Sequence, residues 1–104
     1  MFEIRQYERS DGVSPFDRWF KSLDKSIRAK VTVVIARLES GNDSNVKWFR
    51  GIGEFRINQG PGYRIYLAKV GNQILLLLGG GDKSSQQHDI EQAIENLNDY
   101  KRNK

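Results

Sequence analysis

Glu54-Phe55-Arg56-Ile57-Asn58-Gln59-Gly60-Pro61-Gly62-Tyr63-Arg64-Ile65-Tyr66-Leu67 carries two alternating runs around a Gly-Pro-Gly centre. Strict alternation marks a strand with two unlike faces. Glycine tolerates positive φ and proline fixes its own, so Gly60–Gly62 reads as a rigid turn. Residues 53–58 and 63–70 are therefore expected to pair as an antiparallel hairpin. Phe55 and Ile57 face one side, and Glu54, Arg56 and Asn58 the other. Beyond the turn, Tyr63, Ile65 and Leu67 share one side, and Arg64 and Tyr66 share the other. With the turn centred on Gly60, Arg56 falls opposite Arg64 and Glu54 opposite Tyr66, with Cβ atoms about 5 Å apart.

Outward from the hairpin, Gly71-Asn72 is a tight turn into Ile74–Leu78, a run apolar on both faces. Such a run suits a central strand covered on both sides, and Gly79-Gly80-Gly81 is expected to end it. Ser84 with Gln87 has the spacing of a capping box. Ile90, Ala93, Ile94 and Leu97 supply the buried stripe of a final helix. Upstream, Val46–Arg50 reads as a short strand. Before it, Asp24 is placed to cap a helix whose Ile27, Val31, Val34, Ile35 and Leu38 recur at helical spacing. The β-branched run Val31–Ile35 has low helix propensity and leaves a competing strand reading. The periodicity favours the helix, because tertiary burial supplies most of a helix's stability. Ser14, Pro15 and Asp17 are a cap, a first-turn proline and an acidic third position. Phe16, Trp19, Phe20 and Leu23 follow on one face, and residues 2–7 alternate as a first strand. The expected fold is α+β: a twisted, mainly antiparallel sheet of four to five strands packed against two N-terminal helices, with a C-terminal helix.

The chain has 104 residues, no cysteine, one histidine, and 17 basic against 13 acidic residues, a formal net charge of +4. That size suits one domain over residues 1–104. The absence of cysteine excludes disulfides, a thiol nucleophile and a thiolate metal site. A lone His88, off the last helix's apolar stripe, builds no multi-histidine site and reads as solvated; no metal or cofactor is expected. The N-terminus is charged from Glu3 and has no apolar core of a signal peptide. The longest apolar run is far too short to span a bilayer. A cytoplasmic location without a membrane partner is the expectation. The positive excess favours an anionic partner or simply aids solubility.

Two arginines directly opposed across a hairpin repel. An anion between them reverses that cost, since phosphate accepts several charge-assisted bonds from guanidinium forks. The alternative is a wet sheet face on which Glu54 merely pairs with Arg56 or Arg64. A second cluster, Gly79–Gln87, runs from a strand into a helix start. Its Lys83 and free amides suit a phosphate, or Lys83 is a plain surface lysine and Asp82 a local cap. It lacks Walker A spacing. Trp48 and Phe49, flanked by Lys47 and Arg50, have the chemistry to stack on bases, although one of them suits the core better. Lys25, Arg28, Lys30 and Arg37 widen the positive field of the helix or contact phosphates.

The two blocks Glu54–Ile57 with Gly60–Tyr66, and Leu77–Gln86 with Asp89-Ile90, resemble the phage-derived, HigB-like branch of the RelE/ParE toxin superfamily, the addiction module killer proteins. The similarity runs from Pro15 to the last helix, and Lys47 falls on a basic position of the same family. The resemblance implies a RelE-like toxin domain of a type II toxin–antitoxin system. Such an mRNA interferase is a hydrolase-class endoribonuclease acting on translating ribosomes. It is silenced by a cognate antitoxin, often with a helix-turn-helix, as a homodimer or a toxin–antitoxin heterotetramer. A ParE-like gyrase poison and a non-catalytic RNA- or antitoxin-binding module are the competing classes. Metal-free cleavage needs a proton acceptor for the ribose 2′-OH, cations for the phosphate and a donor for the leaving oxygen. Joined to the resemblance, the hairpin reading assigns Glu54 as base or as the group orienting Arg56. Arg56 and Arg64 become phosphate clamps, Lys83 a further charge or donor, and Tyr66 a base-positioning group or proton donor. Lys47, Arg50, Trp48, Arg28 and Lys30 are expected to contact RNA.

Overall fold

Alternation and helical spacing both become elements of the expected type in the computed structural model, which describes residues 1–103. They are β1 (Glu3–Gln6), α1 (Pro15–Lys21), α2 (Lys25–Glu39), β2 (Lys47–Phe49), β3 (Ile52–Ile57), β4 (Tyr63–Val70), β5 (Ile74–Gly81), a 3₁₀ turn (Lys83–Ser85) and α3 (Gln86–Arg102). One sheet runs β1-β5-β4-β3-β2. Short turns force β2 to β5 into antiparallel pairing. β1 reaches β5 only after both N-terminal helices have crossed over, and pairs parallel to it. Strands, helices and order are those of the RelE-like topology that the resemblance implied.

The sheet is covered on both faces. Against one side α1 and α2 bury Phe16, Ile27, Val31, Val34 and Leu38 on Ile57, Ile65, Leu67, Leu75 and Leu77. Against the other side α3 buries Ile90, Ala93 and Leu97 on Ile52, Tyr66, Ala68, Leu76 and Leu78. Leu75–Leu78 are all buried, each worth roughly 1.5–3 kcal/mol of transfer free energy. The β-branched stretch of α2 is helical, because Val31, Val34 and Leu38 find partners on the sheet.

Local signals fared unevenly. Ser14 caps α1, its side chain accepting from the Asp17 amide at 3.1 Å. Asp24 makes no side-chain capping bond. The expected capping box at Ser84 and Gln87 does not form: Asp82 caps instead, accepting from the Ser84 amide at 2.8 Å, and α3 begins at Gln86. The three glycines close β5 as expected, but as its last three strand residues rather than as a break after Leu78. A Cβ on Gly80 would sit 2.3 Å from the Trp19 ring, and one on Gly81 would overlap the Asp89 carboxylate. Gly80 and Gly81 are glycines because α1 and α3 press directly onto the strand, whereas a Cβ on Gly79 would meet nothing.

Candidate functional site

The hairpin register is the expected one, with Arg56 opposite Arg64 and Glu54 opposite Tyr66. Lys47 of β2 pairs with Glu54 from the other side. All of these side chains belong to the α3 side of the sheet, and the row Arg56–Arg64–Gly81 runs across three strands. A bulge between Tyr66 and Leu67 puts Leu78 and Gly79 opposite this turn of β4.

Their surroundings divide them into an inner and an outer group. Glu54 is only 2% exposed, Arg64 6% and Tyr66 0%. The Glu54 carboxylate accepts from Arg56 Nε at 3.0 Å and from Gln86 Nε2 at 3.1 Å, with Arg64 Nε at 3.7 Å. Burial pushes its pKa up, but the bonds from Arg56 and Gln86, with the Arg56 and Arg64 charges, outweigh burial and hold it below the ordinary carboxylate value. Arg64 turns inward and donates through Nη1 to the Gly62 carbonyl at 2.7 Å. The Tyr66 hydroxyl is enclosed without a hydrogen-bond partner. Burial, then the charges of Glu54 and Asp89, push its pKa well above that of a free phenol.

This geometry places two of the expected site residues in the interior. Arg64, expected to clamp phosphate, is buried beside the hairpin loop, where it supports the Glu54 carboxylate and the Gly62 backbone. Tyr66, expected to position a base or donate a proton, is a core residue with its hydroxyl enclosed and its pKa raised.

The outer group is open. An accessible groove of about 440 Å³ is lined by Asn45, Lys47, Glu54, Phe55, Arg56 and Asn58. Arg56 is about half exposed, at 49% of its side chain. Its Nε is tethered to Glu54, which leaves the Nη donors facing outward without a partner among the described residues. Lys47 is exposed and lies over the Phe49 ring. Lys83 is exposed beside the hairpin loop, its amide donating to the Pro61 carbonyl at 3.3 Å. Neither lysine makes an ion pair among the described residues.

The remaining expected RNA contacts are not brought to this groove. Trp48 projects to the opposite side, over Gly53, with Lys69 at 5.3 Å from its ring centroid. Arg28 and Lys30 belong to α2, which covers that same opposite side. Arg50, in the β2–β3 turn at φ 53°, is engaged by Glu91 of α3 at 2.7 Å. Of the aromatic pair, Phe49 joins the α3-side core. Sequence reasoning missed Gln86 and Glu91. Gln86 stood inside the glycine-rich block and was visible there as a helix-start polar residue, but its reach to Glu54 needed the fold.

A family model described as Phage derived protein Gp49-like (DUF891) matches residues 18–98, which include every residue of the groove and of the buried network. A protein of Haemophilus influenzae, described as an uncharacterized protein, is 46% identical over 81 residues, covering 75% of this chain and 81% of the relative.

Proposed function

The chain belongs to the phage-derived Gp49-like family, with an α+β fold resembling the RelE/ParE superfamily, and from that premise we propose that it is the HigB-like toxin of a type II toxin–antitoxin pair, an endoribonuclease that cuts mRNA on the ribosome. The observation that carries the reading is the open groove in which Lys47 and the tethered Arg56 flank a carboxylate. A guanidinium fixed through Nε presents its two Nη groups in one orientation, which suits bidentate contact with a phosphodiester.

The reaction is attack of the ribose 2′-oxygen on the adjacent phosphorus, with rupture of the bond from phosphorus to the 5′-oxygen. Arg56 and Lys47 neutralise the charge building on the phosphoryl oxygens. Glu54 is the one carboxylate lining the groove; buried and already accepting from Arg56 and Gln86, it orients Arg56, and the 2′-OH proton passes to water. The Lys83 ammonium supplies a proton to the departing 5′-oxygen. The products are a 2′,3′-cyclic phosphate and a 5′-OH. Glu54 is held below the ordinary carboxylate pKa, so it stays charged and keeps Arg56 in place, while water is a weak base for the 2′-OH. Much of the rate must then come from positioning, worth up to roughly 7–11 kcal/mol when reactants are held well. A ribosome that presents mRNA in reactive geometry supplies that positioning. DNA, lacking the 2′-OH, binds without being cut.

The test is induced expression with mapping of transcript 5′ ends. Wild type is expected to produce 5′-OH ends inside translated regions, and Arg56→Ala (R56A) to reduce them by about a hundredfold, the usual cost of one transition-state donor. Full cleavage by R56A would remove the assignment. A DNA-damage response without truncated mRNA would instead favour a gyrase poison.

A further inference from the structure

Gln86 is the first residue of α3, and its side chain reaches the buried Glu54 carboxylate 32 positions away in the chain. The strand beneath fixes where α3 starts. Gly81 lies opposite Arg64, and its missing Cβ makes room for the Asp89 carboxylate of the first helical turn. Ser85 donates to that same carboxylate and ties the preceding turn to the helix. Gln86 is therefore held at one height above β4 and β5, over the inner network.

The two oxygens of Glu54 have different partners. Oε1 accepts from Arg56 Nε at 3.0 Å. Oε2 accepts from Gln86 Nε2 at 3.1 Å, and Arg64 Nε stands 3.7 Å from it, beyond a hydrogen bond. Arg64 Nε and the Tyr66 hydroxyl are both enclosed without a hydrogen-bond partner among the described residues. A buried donor without an acceptor is costly, so a carboxylate that moved inward would relieve Arg64. Arg64 is less free to move outward, because its Nη1 is bound to the Gly62 carbonyl at 2.7 Å. Arg56 is half exposed, and water screens its hold on Glu54. With Gln86 removed, Oε2 would keep no hydrogen bond and would face a buried cation.

We propose that Gln86 is a positioning residue: by holding one oxygen of Glu54 it keeps the other on Arg56 Nε, and so keeps the Arg56 guanidinium aimed into the cationic groove. Without it the carboxylate turns to Arg64, the inner ion pair closes and Arg56 swings free. An untethered guanidinium still attracts phosphate, but it no longer presents its two Nη groups in one orientation. The loss then falls on the transition state more than on binding. The effect on cleavage rests on the ribonuclease reading; the tether itself does not.

The test reads the arginine Nε–H groups of the full-length ¹⁵N-labelled chain, alongside cleavage of mRNA in programmed ribosomes. Gln86→Met (Q86M) keeps the length of the side chain and removes the donor. It should keep the native amide spectrum, shift the Arg64 Nε–H signal and speed hydrogen exchange at Arg56 Nε–H about tenfold, the scale of one lost bond. Its melting midpoint should stay level or rise, because a buried donor gains an acceptor. Gln86→Lys (Q86K), which returns a donor, should leave Arg56 Nε–H as protected as in wild type. In cleavage, Q86M should lower kcat about tenfold or more with KM little changed, the pattern of misplaced rather than missing contact. In the Arg56→Ala background it should cost nothing further. Arg56 exchange unchanged in Q86M, a lower melting midpoint with the Arg56 signal intact, or an equal loss of cleavage with and without Arg56 would each overturn the inference. Wild-type protein that leaves ribosome-bound mRNA intact, while Arg56 and Arg64 respond to Q86M as expected, would support the positioning and count against the ribonuclease alone.

Discussion

Replacing Glu54 by Gln removes the carboxylate that lies nearest Arg64, within the buried network. Glu54 is 2% and Arg64 6% exposed, with 3.7 Å between carboxylate and guanidinium. Breaking a buried pair by removing one partner costs about 3–5 kcal/mol, because the other charge stays buried and uncompensated. Arg56 is half exposed, so water screens its share and it adds little. The glutamine keeps a carbonyl oxygen to accept one of the two short bonds, which places the loss near the lower bound, about 3 kcal/mol. For a chain of this size about 1 kcal/mol moves the melting midpoint by roughly 4–8 °C, so a fall of about 12–24 °C is expected. Urea unfolding followed by circular dichroism at neutral pH measures the free energy directly. Adding Arg64→Met should restore about 2 kcal/mol, since the orphaned charge leaves with it. The pH dependence carries a sign. The folded pKa of Glu54 lies below the ordinary value of 4.5. Its stabilisation is therefore present above the unfolded pKa and is lost as pH falls through the lower folded value. The gap between wild type and Glu54→Gln should hold steady from neutral pH to about 5 and shrink in more acid solution. A loss under about 1 kcal/mol, or a gap that does not shrink in acid, would refute the buried-pair account.

Tyr66→Phe removes a buried hydroxyl that has no partner; stability should be unchanged or higher by up to about 1 kcal/mol, and ribosome-dependent cleavage should persist, whereas loss of cleavage in a folded protein would return Tyr66 to the chemistry. Tyr7→Phe deletes a hydroxyl that donates to Asp99 and should cost about 1–2 kcal/mol at neutral pH. Burial and then that bond raise the Tyr7 pKa to about 12, so wild type should lose its advantage over this variant as pH rises from 10 towards 12. Gly80→Ala places a methyl 2.3 Å from the Trp19 ring; thermal unfolding should show a loss of about 1–3 kcal/mol from overpacking, with a visible change in tryptophan fluorescence.

Much of the architecture was legible because it depends on periodicity and turns. The hairpin register followed from alternation around Gly60–Gly62, and α2 from apolar spacing that outweighed its β-branched residues. The parallel pairing of β1 with β5 was not legible, since no short turn joins them and only the packing of the crossover sets their direction. Gly79–Gly81 looked like a stretch beyond the strand, because glycine's usual turn role hides its other use, which at Gly80 and Gly81 is to admit Trp19 and Asp89 against the backbone. Within the site, sequence placed Glu54, Arg56, Arg64 and Tyr66 on one side of the sheet. It could not show that α3 closes over part of that side, which separates buried Arg64 and Tyr66 from open Arg56. The positions of Arg28, Lys30 and Trp48 depended on which side each neighbouring element covers, a tertiary fact that no local pattern records. Arg50 looked available because its partner Glu91 lies 41 positions away in the chain.

The groove's chemistry is tested most directly by purified protein acting on mRNA in programmed ribosomes, with the chemical ends of the products determined for wild type, Lys47→Ala and Arg56→Ala. Products ending in a 2′,3′-cyclic phosphate and a 5′-OH, with each substitution lowering the rate at least about tenfold, one decade being about 1.4 kcal/mol of barrier, and with unfolding midpoints unchanged, are the predicted result. Cleavage that proceeds at the wild-type rate without either cation, or ribosome-bound mRNA left intact by the folded wild-type protein, would contradict it.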